Sequence, residues 1–406
     1  MNSTSTLDSK CFDESSLILM MDVEKKINNF IFPVQFVITV VGNLLTMTVL
    51  LNGHSKNRAN HLLAFLALCD MLVFFMMFSH YLASLDKFAN STSFRLFYFK
   101  TKPHFGALTN WFSAAAIWFV LAVSLERLLI IMFPFRSLDS YSSKQVIFVS
   151  FVIMVSTFIL TSYHHFSHHC LSFVVCHNTQ VVGRCYSNSA SFLGKRANPA
   201  SELFKGYLKV SVVANVILAV LLPIFAVAVL NITLIRVVKR RNSEELLVRN
   251  SMPSNLQDQE RKMTHTVLAI ISCFTLTQAP SALVYIYHTL CQPTEISNYM
   301  SVITNQLVLT GKMLNVVLFC LTSKTFRRRL CNTFRFWFLM IFYLKGKHAR
   351  GTISRTQSKS MISMKTSMVY TPSRKSSRPE GQHDGRKVAT ASSPLIKDTP
   401  MNNNNN

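Results

Sequence analysis

The sequence predicts an all-α membrane protein: a bundle of seven transmembrane helices with a short amphipathic eighth helix and a disordered C-terminal tail. Three observations predict this class. Seven apolar runs reach the roughly 17–25 residues that a helix needs to cross a bilayer. The chain is 50% hydrophobic and 15% charged, whereas soluble proteins are about 25% charged. Only four charged residues lie inside the seven runs: Asp70, Glu126, Arg127 and Lys312.

The apolar runs give the order of the spanning helices. They cover residues 31–51, 62–85, 105–133, 145–163, 210–235, 263–287 and 299–321. No cleavable signal pattern precedes the first run. The C-terminal tail from Ser323 carries seventeen of the chain's Lys and Arg residues, and cytoplasmic segments are enriched in these residues. We therefore expect a multi-pass plasma-membrane protein with its N-terminus outside and its C-terminus in the cytoplasm.

Composition divides the chain into four regions. Residues 1–26 form an extracellular tail, 27–330 the helix bundle with the start of an eighth helix, 331–350 a membrane-surface segment, and 351–406 a disordered cytoplasmic tail. The last region is too poor in large apolar residues to bury a core. The apolar stretch near residue 340 is too short to span, and we expect it to lie on the inner leaflet.

Modification sites are consistent with this orientation. Asn2 and Asn90 stand in Asn-x-Ser/Thr patterns on the predicted outer side, where N-glycosylation occurs. Cys331, just after the seventh run, is a palmitoylation candidate, although a plain thiol is equally compatible with the sequence.

Short motifs appear in a fixed order, one in each of six spans. They are Gly42-Asn43, Leu66 to Asp70, Glu126-Arg127-Leu128 with Pro134 downstream, Pro223, Phe274 with Pro280, and Asn315 to Phe319. Together, over residues 43–327, they resemble the rhodopsin-like (class A) G-protein-coupled receptors. Among these, the chain looks most similar to protostome neuropeptide receptors of the FMRFamide-like type.

The resemblance implies roles for residues at the predicted inner end. Glu126, Arg127 and Glu260 would form an inactive-state clamp that opens when a G protein binds. Glu260 precedes Pro280 by twenty residues, which is about 30 Å along a helix. The alternative is that these residues are ordinary interfacial charges that reach toward water.

The resemblance also implies an activation connector beneath a ligand pocket, with Asn43 as a structural residue of the first span. Simple apolar packing is the alternative reading of the connector. Its members are Ile117, Pro223, Phe274, Gln278, Pro280, Asn315 and Phe319.

Asp70 and Lys312 are predicted to lie at matching depths in the second and seventh spans. Receptors of this family usually hold a sodium ion at this acid. We expect the Lys312 ammonium to take the place of that ion, because pairing offsets much of the cost of burying either charge. The alternative is that Lys312 faces lipid and snorkels to the interface.

Several positions depart from the family pattern. Lys102 stands where the third span usually has a cysteine, and Gln278, Val316 and Phe319 replace a Trp, a Pro and a Tyr. The usual disulfide to the long outer loop therefore cannot form. Five cysteines are expected on the oxidising outer side, namely Cys11, Cys170, Cys176, Cys185 and Cys291. We predict a Cys11–Cys291 bridge and one bridge within the long loop, with one cysteine unassigned.

The ligand is only partly constrained. Thr109 replaces the Asp of amine receptors, and Leu309 replaces the retinal Lys of opsins, so both ligand classes are disfavoured. Basic outer loops favour anionic or mixed ligands. The candidate pocket residues are Lys102, Thr109, Tyr285 and Asn305, although such residues also fill space between helices.

Other classes of site are not expected. The histidines at 164, 165, 168 and 169 have a spacing that suits zinc only in a helix, and we predict no metal, cofactor, enzymatic activity or nucleic-acid partner.

The sequence thus predicts a receptor that converts binding of an extracellular ligand, a neuropeptide in our reading, into activation of a heterotrimeric G protein. Arrestin and receptor kinases are further expected partners, acting on the tail. The alternatives are a non-signalling seven-helix scaffold or decoy receptor, and an ion or proton transporter that uses Asp70 and Lys312.

Overall fold

The computed structural model shows a bundle of long helices with a β-hairpin at one end. It describes residues 11–13, 17–51, 58–133, 143–193, 196–247, 255–291, 294–322, 328 and 331–340. The predicted disordered tail at 351–406 and the glycosylation candidate Asn2 lie outside the described residues.

Helices account for most of the described chain. In order they are α1 (Asp22–Phe30), α2 (Phe32–Leu51), α3 (Arg58–Ser84), α4 (Asp86–Ala89), α5 (Thr92–Met132), α6 (Ser143–Thr161), α7 (His164–Ser167), α8 (Glu202–Asn215), α9 (Leu222–Leu247), α10 (Asn255–Leu290) and α11 (Glu295–Thr322). Residues 331–340 are also helical.

Five stretches of the described chain are long and apolar enough to cross a membrane. They are Phe32–Leu51, Arg58–Ser84, Thr92–Ile130, Lys144–Ser167 and Glu202–Val237. Helices α10 and α11 contain the last two predicted apolar runs. On α6, Phe148, Phe151 and Ile159 are each more than 60% exposed, as expected for side chains that face lipid. The predicted class, an all-α bundle of seven long helices, is confirmed.

The third spanning helix, α5, is longer than predicted. The apolar run begins at residue 105, but the helix begins at Thr92 and continues through Pro103. The additional turns carry Arg95, which is buried and donates to the carbonyl oxygens of Val181, Leu17 and Ala89 at 2.8–3.0 Å. These hydrogen bonds compensate the burial of the Arg95 guanidinium. From hydropathy alone, such a charged residue would be placed in a loop. The segment 86–104, which lies between the second and third apolar runs and would be read from hydropathy as an outer loop, is instead mostly helical.

The fifth span is interrupted by a wider turn. A π-helical segment, Val216–Leu221, joins α8 to α9. Pro223 follows it and lacks the backbone N–H that would bond the carbonyl four residues earlier. Such π turns are frequent at functional sites, and two residues of this segment, Ala219 and Val220, line the cavity described below.

The long segment after α6 forms a β-hairpin. Strand β1 (His168–Val175) pairs antiparallel with β2 (Gln180–Ser187), with Cys170 opposite Cys185. The two short strands β3 (Phe192–Leu193) and β4 (Arg196–Ala197) form a second pair. We call the end of the bundle that carries these strands the hairpin end, and the opposite end the Arg127 end.

The main core lies where α3, α5, α9 and α10 meet. Phe119 on α5 stacks on Phe65 of α3, with ring centroids 5.6 Å apart. Ile117 and Phe274, two predicted connector residues, are buried in the same cluster. This packing fixes the central helices on which the site residues stand.

Candidate functional site

A cavity of about 340 Å³ lies between the helices toward the hairpin end. Its volume falls within the roughly 300–1,000 Å³ of small-ligand pockets. The predicted pocket residues Thr109, Tyr285 and Asn305 line it, and so do the predicted connector residues Ile117 and Gln278.

The lining is mostly apolar in area, includes many uncharged polar side chains, and contains no Asp, Glu, Lys or Arg among the residues that the structure describes. Amides, hydroxyls and two imidazoles alternate with apolar groups. The polar members outside the predicted set are Asn110, Ser113, Thr161, His164, Asn215, Ser281, His288, Ser301 and Thr304. The cavity can therefore hydrogen-bond a ligand without neutralising a formal charge on it.

Asn215 occupies a particular place in this lining. Its amide nitrogen lies 3.3 Å from the Tyr285 hydroxyl, and Tyr285 is also 3.1 Å from the Tyr163 hydroxyl. The Asn215 side chain is 5% exposed, and its carbonyl oxygen has no hydrogen-bond partner in the described part of the chain. Because a buried acceptor without a partner is costly, this oxygen is suited to a donor on a bound ligand.

Lys102, the fourth predicted pocket residue, does not line the cavity. Its ammonium lies 5.5 Å from the centre of the Tyr98 ring, because α5 extends beyond the apolar run and places residue 102 beside the N-terminal segment. The structure thus places Lys102 outside the cavity that the other three predicted pocket residues line.

Lys102 belongs instead to a network at the hairpin end. His80 lies 2.6 Å from Glu24 through Nε2 and 2.7 Å from the Tyr98 hydroxyl through Nδ1. Burial alone would raise the pKa of the Glu24 carboxyl, but the hydrogen bond from His80 and the charges of His80 and Lys102 hold that pKa below its usual value. The network ties α1 to α3 and α5.

Asp70 and Lys312 meet in the interior of the bundle. The Lys312 ammonium lies 2.7 Å from Asp70 Oδ1, and the Asn315 amide donates to Asp70 Oδ2 at 2.9 Å. Asp70 is 0% and Lys312 1% exposed, so Lys312 does not reach the lipid interface. Both carboxylate oxygens are engaged by donors of this chain.

Arg127 lies five residues before the end of α5 and is 1% exposed, whereas its neighbour Glu126 is half-buried. Glu260 and Pro280 lie on the same continuous helix, α10. The side chains of Glu260 and Phe319 are outside the described part of the structure. Asn43 is buried in α2.

The cysteines pair differently from the prediction. Cys11 bonds Cys176, and Cys170 bonds Cys185. Cys291 is free and exposed. The bridge within the long loop is confirmed, whereas Cys11–Cys291 was wrong. The turn of the hairpin contains Cys176, His177 and Asn178, all with positive φ. It brings Cys176 next to the N-terminal segment. Nothing in the sequence alone indicates that these two segments are close.

Histidines and cysteines also cluster elsewhere at the hairpin end. His177 adjoins Cys11 and Cys176, but these sulfurs form a disulfide and are not available as thiolates. The histidines at 164 to 169 do not form the helical pairs that zinc would need, because α7 ends at Ser167 and β1 begins at His168.

Two modification candidates are accessible. Asn90, directly after α4, is exposed. Cys331 is exposed and free at the start of the helical residues 331–340.

Sequence reasoning missed the residues that become neighbours only through folding. His80 and Glu24 are 56 residues apart in the chain, and no spacing rule connects them. Asn215 gave one usable signal, since it is a polar residue inside an apolar run and close to a proline.

Comparison with known proteins agrees with this architecture. The profile of the seven-transmembrane receptors (rhodopsin family) matches residues 42–319. A Caenorhabditis elegans protein named as a "putative G-protein coupled receptor" is 35% identical over 345 residues, covering 81% of this chain and 79% of that protein. The chain therefore belongs to the rhodopsin family of seven-transmembrane receptors.

Proposed function

We propose that this receptor converts binding of an extracellular neuropeptide into activation of a heterotrimeric G protein at the plasma membrane. In this proposal the hairpin end faces outward and the Arg127 end faces the cytoplasm. The exposed glycosylation candidate Asn90 at the hairpin end and the seventeen basic residues of the C-terminal tail support this orientation.

The observation that carries the proposal is the cavity at the hairpin end, whose described lining combines apolar side chains with uncharged amides and hydroxyls. A peptide would insert a neutral portion there, with its amide and side-chain groups bonded to the carboxamides and hydroxyls of the lining. Charged groups of the peptide would remain outside, near the basic surface of the hairpin end.

Asn215 supplies a specific contact in this proposal. Its partnerless carbonyl oxygen would accept a hydrogen bond from an N–H or O–H of the inserted portion. A ligand without such a donor would leave the buried oxygen unsatisfied and would bind less tightly.

Arg127 is the proposed contact for the G protein. It is buried in this structure, so a G protein could reach it only after the Arg127 end opens. Separation of Arg127 from Glu126 and Glu260 would accompany that opening.

We further propose that the Lys312 ammonium replaces a sodium ion at Asp70. Asp70 already accepts from Lys312 and Asn315, one on each oxygen, and the Lys312 ammonium places a positive charge 2.7 Å from the carboxylate that would repel an added cation. Agonist affinity should therefore be the same in sodium chloride and in choline chloride at equal ionic strength.

The matched variant for this test is Lys312→Asn, which removes the internal cation and supplies a neutral oxygen ligand. It should acquire sodium-dependent agonist affinity. Strong sodium inhibition of the unmodified receptor would disprove the replacement.

Phosphorylation of the Ser- and Thr-rich tail by receptor kinases and recruitment of arrestin are further parts of the proposal. Cys331, exposed beside the aromatic residues of the 331–340 helix, is the proposed palmitoylation site. These steps would act at the cytoplasmic surface.

A peptide-library screen in cells that express the chain, with calcium and cyclic AMP measured together, tests the proposal. Arg127→Ala should abolish the response to any active peptide without reducing peptide binding. Lys144→Ala, which changes an exposed base at the same end, is the control and should respond normally. A decoy would bind peptide without any response in the unmodified chain, and a transporter would carry current or ions that Arg127→Ala leaves unchanged.

A further inference from the structure

Two histidines from different elements face each other at the hairpin end. His104 follows Pro103 in α5, and His165 belongs to α7. Their Nδ1 atoms lie 3.1 Å apart, and the ring centroids are 5.3 Å apart. Neither ring lines the cavity, and neither takes part in the Glu24–His80–Tyr98 network.

The separation is suited to one shared metal ion. Zinc binds imidazole nitrogen at about 2.0–2.1 Å in tetrahedral geometry, which places two coordinating nitrogens about 3.3 Å apart. A shift of a few tenths of an ångström would allow both Nδ1 lone pairs to reach one ion. Both rings would then be neutral and would carry their proton on Nε2.

The support around His165 is fixed before any ion binds. Asn188 donates to the carbonyl oxygens of Phe166 and Ser167, both at 2.8 Å. Tyr163, two residues before His165, is 1% exposed and hydrogen-bonded to Tyr285. His104 stands on a long helix, so both ligands are held on ordered backbone, as a metal site requires.

We propose that His104 and His165 form a binding site for a divalent transition-metal ion such as zinc. The ion would clip the hairpin end of α5 to α7. Two protein ligands leave two coordination positions for water or for a donor atom of a bound molecule, so the ion would be exchangeable rather than permanently enclosed. Exposure of the His104 ring gives the ion a path from solvent.

The proposed metal ion would link two elements that no described disulfide joins. The two disulfides of the described cysteines join the N-terminal segment to the hairpin and β1 to β2, and neither joins α5 to the segment after α6. His164, adjacent to His165, lines the cavity. Metal binding would therefore restrain the wall of the cavity without entering it, and this inference does not depend on the proposed ligand.

Thermal unfolding of the purified full chain tests the site, with zinc chloride added to metal-free protein and with EDTA as the reverse step. Binding to the folded state alone raises the midpoint as the zinc concentration increases. The unmodified chain should show this increase and should bind one ion that His104→Ala removes. His165→Ala should lose the increase equally.

His169→Ala is the matched control, because His169 is exposed on β1 in the same segment and should keep the full increase. His104→Gln retains hydrogen bonding without an imidazole, so it separates loss of the metal from loss of the fold. A midpoint of the unmodified chain that does not respond to zinc would overturn the site. Retention of the increase by His104→Ala and His104→Gln would also overturn it, since the ion would then bind elsewhere.

Discussion

The interior of the bundle holds one acid and one base in direct contact. Asp70 receives one hydrogen bond on each oxygen, from Lys312 and from Asn315. At this burial each charge alone would be strongly unfavourable, and contact with the opposite charge is what makes its ionised form tolerable. The pair therefore specifies the relative positions of α3 and α11 more than it adds net stability.

Single substitutions of this pair should be costly, and the double substitution should be mild. Asp70→Asn leaves a buried ammonium, and Lys312→Met leaves a buried carboxylate, so each should lower stability by about 3–5 kcal/mol. The combination Asp70→Asn with Lys312→Met removes both charges and should recover most of the loss. Thermal unfolding in detergent, analysed as a double-mutant cycle, measures this. Additive losses would show that the two side chains do not act as a pair.

Some of these side chains could be placed from the sequence alone. Asp70 and Lys312 occur at equal depth in two apolar runs, and a buried charge requires a partner, so their contact follows from simple energetics. Lys102 could not be placed, because its position depends on how far α5 extends beyond the apolar run. The Glu24–His80 contact depends on the path of the N-terminal segment, which no local pattern encodes.

The N-terminal segment is joined to the hairpin as a unit. The Cys11–Cys176 disulfide is accompanied by two hydrogen bonds between Gln180 and the backbone of Phe12, at 2.9 and 3.0 Å. Arg95 of α5 holds the same segment through the Leu17 carbonyl. Together, the disulfide and these hydrogen bonds connect the N-terminal segment to the hairpin and to the third spanning helix, without a cysteine in that helix.

Replacement of Cys176 by Ser should reduce stability by about 2–4 kcal/mol, because a long loop in the unfolded chain is released. Cys11→Ser should match it, and the double variant should be no worse than either single one. Cys291→Ser, which changes a free cysteine, is the control and should be neutral. A large loss for Cys291→Ser with none for Cys176→Ser would instead support the Cys11–Cys291 pairing.

Close packing of α10 against α11 depends on a glycine. A Cβ at Gly311 would collide with the Thr277 side chain, whereas a Cβ at Gly106 of α5 meets no atom within 4 Å. Gly311→Ala should therefore cost about 1–3 kcal/mol through overpacking.

Gly106→Ala is the matched substitution and should stabilise the protein by about 0.5–1 kcal/mol, since Gly is unfavourable in a helix interior. Unfolding midpoints of the two variants give the comparison. Equal effects at both positions would mean that α10 and α11 are not packed as closely as described.

Most of the spanning helices were predictable because lipid imposes one simple requirement, an apolar run of sufficient length. The start of α5 was not predictable, because Arg95, Lys100 and Lys102 interrupt the apolar pattern. In the folded chain, backbone carbonyl oxygens accept hydrogen bonds from Arg95 and so allow the helix to begin earlier. The β-hairpin was also missed, because its strands pair within a segment of mixed polarity and its register is fixed by a disulfide.

Within the described helix bundle, the cavity and Arg127 lie toward opposite ends. A cavity whose described lining is apolar and uncharged polar lies toward the hairpin end, and Arg127 is buried near the opposite end. Between them stand the packed core residues Ile117 and Phe274 and the Asp70–Lys312 pair.

We propose that binding at the hairpin end releases Arg127 to activate a G protein. Nucleotide exchange on purified heterotrimeric G proteins, with the receptor reconstituted in lipid and an active peptide from the screen added, tests it most directly. We expect the peptide to accelerate exchange through the unmodified receptor and to have no effect through Arg127→Ala that still binds the peptide. Equal acceleration by both proteins, or peptide binding to the unmodified receptor without any acceleration, would contradict the account.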